Sequence, residues 1–266
     1  MPKGEMNFFS KDILASVDYE SLEEYLEVFS QAPQGSIVGE KSVWYLYSKI
    51  AIPSILELNS DAKFIVMIRN PIEMAPSLHS QNTRGSLEKE DLKNFKDAWY
   101  AQKFRKKGER IPRRCNAPKK LQYGEICRLG EQLERLYTYV PRERVHTIFL
   151  EDMKKDALKV YRDTLMFLGI PYDGCIDFPV INRNEVVVYP RLQRLLYIIK
   201  RFKTKYKIPS LHLNLLATLI KKTKRKEKRK PLQDDFKQEL AKYFNEDIQK
   251  LSQLTGRDLS YWTDQI

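Results

Sequence analysis

The stretch AKFIVMIRNPIEMAPSLHSQN (62–82) constrains this chain more than any other. FIVMI (64–68) is an unbroken apolar run of strand length, the pattern of a strand buried on both faces in a parallel sheet. It passes straight into a helix over 69–82, with Pro71 near the first turn, where a missing N–H costs nothing. RVHTIFLED (144–152) repeats the pattern as a second buried strand, followed by a helix over 153–168 that Gly169 stops. SIVGEKS (36–42) reads as a short third strand ending in a polar loop.

Between the strands lie helical patterns. SLEEYLEVFSQA (21–32) has Ser21 and Glu24 at capping-box spacing, and SKIAIPSILELN (48–59) is interrupted by Pro53. LQYGEICRLGEQLERLYTYV (121–140) is amphipathic, and PLQDDFKQELAKYFNEDIQKLSQLTG (231–256) forms a terminal helix or two closed by glycine. Alternating strands and helices predict an α/β fold, a parallel sheet with helices on both faces. Ligands then sit beyond the carboxyl ends of the strands. The 266 residues suit a single domain, 1–266, with a polar, basic insertion or lid over 83–120, a basic segment over 200–230 and C-terminal helices over 231–266.

Charge is concentrated. Residues 200–230 contain 13 Lys or Arg and one Glu, while the rest of the chain holds 34 basic and 34 acidic residues. That segment is either a solvated basic loop or a face for nucleic acid, anionic lipid or an acidic polysaccharide. A nucleic-acid role accounts for the charge and for nothing else in the sequence. Cys115, Cys127 and Cys175 are scattered and odd in number, which argues against a disulfide framework or zinc site and for a reducing compartment. His79, His146 and His212 are too dispersed for a metal cluster, and His146, inside a strand pattern, reads as structural. No apolar run reaches the length of a membrane span, and the polar N-terminus is not a signal peptide.

Three places carry candidate chemistry. At the FIVMI–RNP junction the helix N-terminus predicts an anion site, with Arg69 able to fork onto a phosphate or pair with a carboxylate and Ser77 two turns on able to add a hydroxyl. In GEKSVWYL (39–46), Lys41 at a strand end either neutralises charge on a transferring group or is simply solvated. In GEMNFF (4–9), Glu5 lies beside Phe8 and Phe9, and an apolar backing can push a carboxyl toward the working range of a general base.

GEMNFF, GEKSVWYL, AKFIVMIRNPIEMAPSLHSQ, VHTIFLEDMKKD (145–156) and GRDLSYW (256–262) occur in this order. Together they resemble the sulfotransferases that use 3′-phosphoadenosine 5′-phosphosulfate (PAPS), most closely the carbohydrate branch of heparan-sulfate-type and bacterial enzymes. The strand–Arg-x-Pro–five residues–Ser pattern is the most specific element. The resemblance implies a P-loop-NTPase-like α/β fold and sulfuryl transfer from PAPS to a hydroxyl, as on a glycan. It implies Glu5 as general base, Lys41 near the transferring group, and Arg69 and Ser77 on the 3′-phosphate. Tyr123 and Gly124 would open a helix beside the nucleotide. Asn182, Arg183 and Asn184 would belong to a late loop over the donor, with Arg183 a second phosphate contact. No metal is implied and a cytoplasmic protein is expected, with an anionic surface the partner for 200–230 unless that segment is a solvated loop.

The family's opening strand and its Pro-Lys-x-Gly-Thr loop, which cradles the phosphosulfate, have no counterpart here, since PKG (2–4) adjoins Glu5 directly. The expectation is a chain lacking its first strand, phosphosulfate loop and first helix, with little or no transferase activity of its own. The competing expectation is a non-catalytic relative that binds a nucleotide or polyanion.

Overall fold

A computed structural model describes residues 5–15, 17, 19–83, 90–179, 185–187, 224–226 and 231–264. Strand β1 (Phe64–Ile68) pairs in parallel with β2 (Val145–Phe149), Phe64 opposite Val145 and Ile68 opposite Phe149. A separate antiparallel pair joins β3 (Glu185–Val187) to β4 (Lys224–Lys226). The remainder of the basic segment 200–230 lies outside the described residues.

Helices α1 (Leu22–Glu27), α2 (Ala51–Leu58), α3 (Pro71–Asn82), α4 (Phe95–Arg105), α5 (Tyr123–Ile126), α6 (Leu129–Tyr139), α7 (Leu150–Lys155), α8 (Ala157–Leu168), α9 (Asp234–Thr255) and α10 (Tyr261–Asp264) surround the parallel pair. Val66, Ile68 and Phe149 face the main core, where they meet Ile72 and Ala75 of α3, Leu133 and Leu136 of α6, and Leu240 and Phe244 of α9. Each of these Val, Ile, Leu and Phe side chains contributes about 1.5–3 kcal/mol by leaving water. On the opposite face α8 covers β2, with Phe167 stacked on His146 at 5.2 Å, while Ile65 and Met67 of β1 stay exposed.

Several elements depart from the sequence reading. Pro53 sits in the first turn of α2 and does not interrupt it. The helix read over 121–140 is two, because the buried Asp247 carboxylate of α9 accepts the N–H groups of Gly130 and Glu131, each at 2.9 Å, and so starts α6 afresh. The second strand ends at Phe149, three residues early, and Asp156 then breaks the following helix by capping Lys159 N at 2.9 Å. Residues 36–42 form no strand: Ile37 and Val38 are 59% and 52% exposed, and no described strand pairs with them. The stretch 83–120 is not only a polar lid, since α4 buries Phe95, Ala98 and Trp99 in the main core.

The last motif closes onto the sheet. Gly256 turns the chain out of α9 at φ +66°, a left-handed conformation that favours glycine. The next residue, Arg257, then grips Asp152 beyond β2, Nη2 to Oδ1 at 2.9 Å, with its guanidinium 4.2 Å above the Phe149 ring.

Candidate active site

The β1–α3 junction is the most regular part of the site. Arg69 follows the strand directly, Asn70 caps α3 by accepting Ile72 N–H at 2.9 Å, and Pro71 opens the helix. The expected cradle of free amides is therefore not open. Pro71 has no N–H, the Asn70 side chain takes that of Ile72, and the Asn70 carbonyl takes those of Glu73 and Met74. What remains for an anion is the Arg69 side chain. Its Nη2 is 3.1 Å from Glu73, one turn along, and its buried Nε has no hydrogen-bond partner among the described residues. The guanidinium also lies close enough to the buried Cys127 to oppose the rise that burial imposes on that thiol. Ser77 is half-buried on the same helix.

Glu5 and Lys41 lie on two irregular strips joined by side chains. Asn7 adopts φ +55°, which asparagine tolerates better than most residues, and its side-chain oxygen accepts the Ser42 hydroxyl at 2.6 Å. Further along, Phe9 N–H donates to Tyr45 Oη at 3.4 Å and Ser48 Oγ to Asp12 at 2.5 Å. Met6, Phe8 and Phe9 are buried with Tyr25 and Ala51, so the first strip is anchored by its apolar residues and leaves Glu5 exposed. Lys41 is also exposed. It does not leave a strand end, as the sequence suggested, because its segment has no ladder partner among the described residues. Arg135 of α6 holds the second strip from the other side, donating to the Leu46 carbonyl at 2.6 Å.

A small apolar cluster brings the pieces together. Ile13 of the first strip, Trp44 of the second and Ile126 of α5 are buried side by side, with Met74 and Leu78 of α3 packed against them. Ser77 lies between those two α3 residues in sequence, so the strips bearing Glu5 and Lys41 are docked on the helix that Arg69 leads into. A carboxylate and an ammonium thus stand on adjacent segments, and a guanidinium marks the sheet edge.

Tyr123 does not join this site. It is fully buried, its hydroxyl donates to Glu90 at 2.7 Å, and it packs on His79 and Phe95. The packing of α5 between α3 and α4 consumes the side chain that the resemblance would place beside a nucleotide. Arg183, with Asn182 and Asn184, lies outside the described residues.

Two polar features were not singled out in the sequence. Glu40 Oε1 accepts both Tyr45 Oη at 2.6 Å and Tyr25 Oη at 2.9 Å, while its Oε2 is buried with no hydrogen-bond partner among the described residues. Burial raises the Glu40 carboxyl above its ordinary value, against the pull of the two phenols. The position of Glu40 next to Lys41 was a signal, but its partners lie at other points of the chain. The second feature is Glu90, which meets Arg105 in a bidentate pair, Nη1 to Oε2 at 2.5 Å and Nη2 to Oε1 at 2.7 Å.

A family model described as "Sulfotransferase domain" matches residues 51–260. The chain belongs to the sulfotransferase family. The matched span of this sulfotransferase includes Arg69 and Ser77, while Glu5 and Lys41 precede it. The crystal structure of a sulfotransferase from Alicyclobacillus acidocaldarius is similar in fold. Its TM-score is 0.68 at 22% identity, over 98% of this chain and 86% of that one. No curated protein matches. No described helix of the sulfotransferase is long and apolar enough to cross a membrane.

Proposed function

We propose that this sulfotransferase moves a sulfuryl group from PAPS to a hydroxyl of a carbohydrate. The acceptor oxygen attacks sulfur, the bond from sulfur to the bridging phosphate oxygen breaks, and adenosine 3′,5′-bisphosphate leaves with the bonding electrons. Glu5 takes the acceptor's proton. Lys41 neutralises charge on the transferring group, and Arg69 with Ser77 holds the 3′-phosphate. Like phosphoryl transfer, the reaction asks the protein mainly for position and charge. The observation that carries this reading is the cluster of Ile13, Trp44, Met74 and Leu78, which docks both strips on α3. The buried Arg69 Nε, without a hydrogen-bond partner among the described residues, fits a phosphate ligand. Exposed Lys103, Lys107, Arg110, Arg113 and Arg114 favour an anionic glycan as acceptor.

The test is a glycan panel with labelled PAPS, run beside titrations of adenosine 3′,5′-bisphosphate and adenosine 5′-phosphate. The bisphosphate is expected to bind more tightly, and Arg69→Ala to remove about 1.5–3 kcal/mol of that preference, roughly 10- to 150-fold. Where the wild type turns over an acceptor, Glu5→Gln is expected to cut that turnover by about 10²–10⁴ with bisphosphate affinity retained. Equal affinity for the two nucleotides would overturn the assignment of Arg69. Tight bisphosphate binding with no turnover of any acceptor would favour a nucleotide-binding relative instead.

A further inference from the structure

Glu40 is a costly residue to keep where it is. One oxygen takes two phenols, the other is buried without a hydrogen-bond partner among the described residues, and no cation is paired with it there. A carboxylate in such surroundings loses hydration that the two hydrogen bonds only partly replace. Its two partners are the side chains that grip the Glu5 strip. Tyr25 stacks on Phe8 at 4.7 Å and 19°, and meets Phe9 edge-on at 5.2 Å. Tyr45 meets Phe9 at 5.8 Å and accepts its N–H. Both phenols thus donate to Glu40 while their rings pack on the Glu5 strip, Tyr25 on Phe8 and Phe9 and Tyr45 on Phe9, and Glu40 is bonded in sequence to Lys41.

We infer that Glu40 is a positioning residue for sulfuryl transfer: through Tyr25 and Tyr45 it sets the Glu5 strip against the Lys41 strip. The inference rests on the function proposed above. A carboxylate is suited to the task because an ionised acceptor makes shorter and stronger bonds to both hydroxyls than a neutral one. Glutamine retains an oxygen for the two phenols, so it preserves the geometry while removing the charge. Alanine removes both.

The experiment compares wild type, Glu40→Gln, Glu40→Ala and the double variant Tyr25→Phe/Tyr45→Phe by backbone hydrogen exchange and by kinetics. Glu40→Ala and the double variant are expected to lose protection at Phe9 and Ser10, with β1 and α3 unchanged. A displacement of about 1 Å at the reacting groups lowers kcat by roughly a hundredfold. That loss is expected with adenosine 3′,5′-bisphosphate affinity unaltered, and Glu40→Gln is expected to recover kcat to within a few-fold. Unchanged exchange at Phe9 and Ser10 in Glu40→Ala overturns the inference. So does a Glu40→Gln variant as slow as Glu40→Ala, which would give the charge itself the role. A wild type that turns over no acceptor defeats the proposed function, and the exchange arm still decides whether Glu40 holds the strip.

Discussion

Replacing Glu90 by alanine should be among the most damaging single changes in the described core. Glu90 is 0% exposed and Arg105 3% exposed, so neither charge has water to fall back on. The carboxylate accepts four donors: both Arg105 Nη atoms, Tyr123 Oη at 2.7 Å and Leu92 N–H at 2.9 Å. Removing it leaves a buried guanidinium, which typically costs about 3–5 kcal/mol. Tyr123 and Leu92 would each lose a partner as well, at about 1–3 kcal/mol apiece if nothing relaxed. Relaxation has one route, because the exposed Asp91 carboxylate is 3.6 Å from Arg105 Nη2 and can be approached. The net expectation is therefore about 3–5 kcal/mol, a large share of the roughly 5–15 kcal/mol that holds a typical protein folded. Urea unfolding followed by tryptophan fluorescence would measure it, since Trp99 is in the same core. A thermal midpoint lower by about 10 °C should accompany it. The paired change Glu90→Leu/Arg105→Met removes both charges and should recover most of the loss. Glu90→Ala within about 1 kcal/mol of wild type would refute the reasoning, because it would mean that the pair is hydrated or readily replaced.

The same pair sets a pH dependence. Burial alone would raise the Glu90 carboxyl, but the hydrogen bonds from Arg105, Leu92 and Tyr123 hold it below its ordinary value. Its stabilising contribution is therefore present above the ordinary glutamate pKa and lost as pH falls through the lower folded value, and Glu90→Gln should flatten that acid limb in melts run across pH. Glu40 has the opposite sign: its carboxyl is raised, so its contribution fades as pH climbs from the ordinary value through the folded one. Glu40→Gln should accordingly melt no lower than wild type near neutral pH, and a clear drop there would count against the reading. Gly130→Ala should lower the melting point by an amount equivalent to about 1–3 kcal/mol, since the added carbon would sit 2.3 Å from the Asp247 backbone oxygen and force α6 from α9.

What could be read in advance followed from local pattern. FIVMI and the Arg-x-Pro start of α3 were legible because a continuous apolar run and a proline at the first helical turn are decided by neighbours in sequence. The strand expected over 36–42 was not, because a strand exists only through a ladder partner, and Ile37 and Val38 find none among the described residues. Helix α4 was hidden in a stretch that reads as polar, because one of its buried side chains is Arg105, whose burial makes sense only once Glu90 is placed beside it. Tyr123 looked like a nucleotide neighbour from its place in the motif order, yet its hydroxyl belongs to that same pair. The role of Glu40 is not legible in the sequence for a related reason, since it depends on Tyr25, brought back from an earlier helix.

The two ends of the proposed site are therefore held by different means, and this separates their failures. Arg69 leads into α3 and Ser77 rides on it, and α3 is packed into the main core and steadied near its far end by His79 and Asn82. Glu5 and Lys41 ride on strips without regular structure, held by Asn7–Ser42, by the Glu40 phenols and by the cluster around Ile13 and Trp44. Loosening the Glu90 pair should act through the first arrangement: stability and bisphosphate affinity fall together, because α3 loses its support. Loosening Glu40 should act through the second, lowering turnover while α3 and the phosphate contact stay in place. Titrating bisphosphate onto Glu90→Gln and Glu40→Ala tests the division directly. Equal loss of affinity in both would show that the strips and α3 move as one body, and that the acceptor side cannot be adjusted without disturbing the donor side.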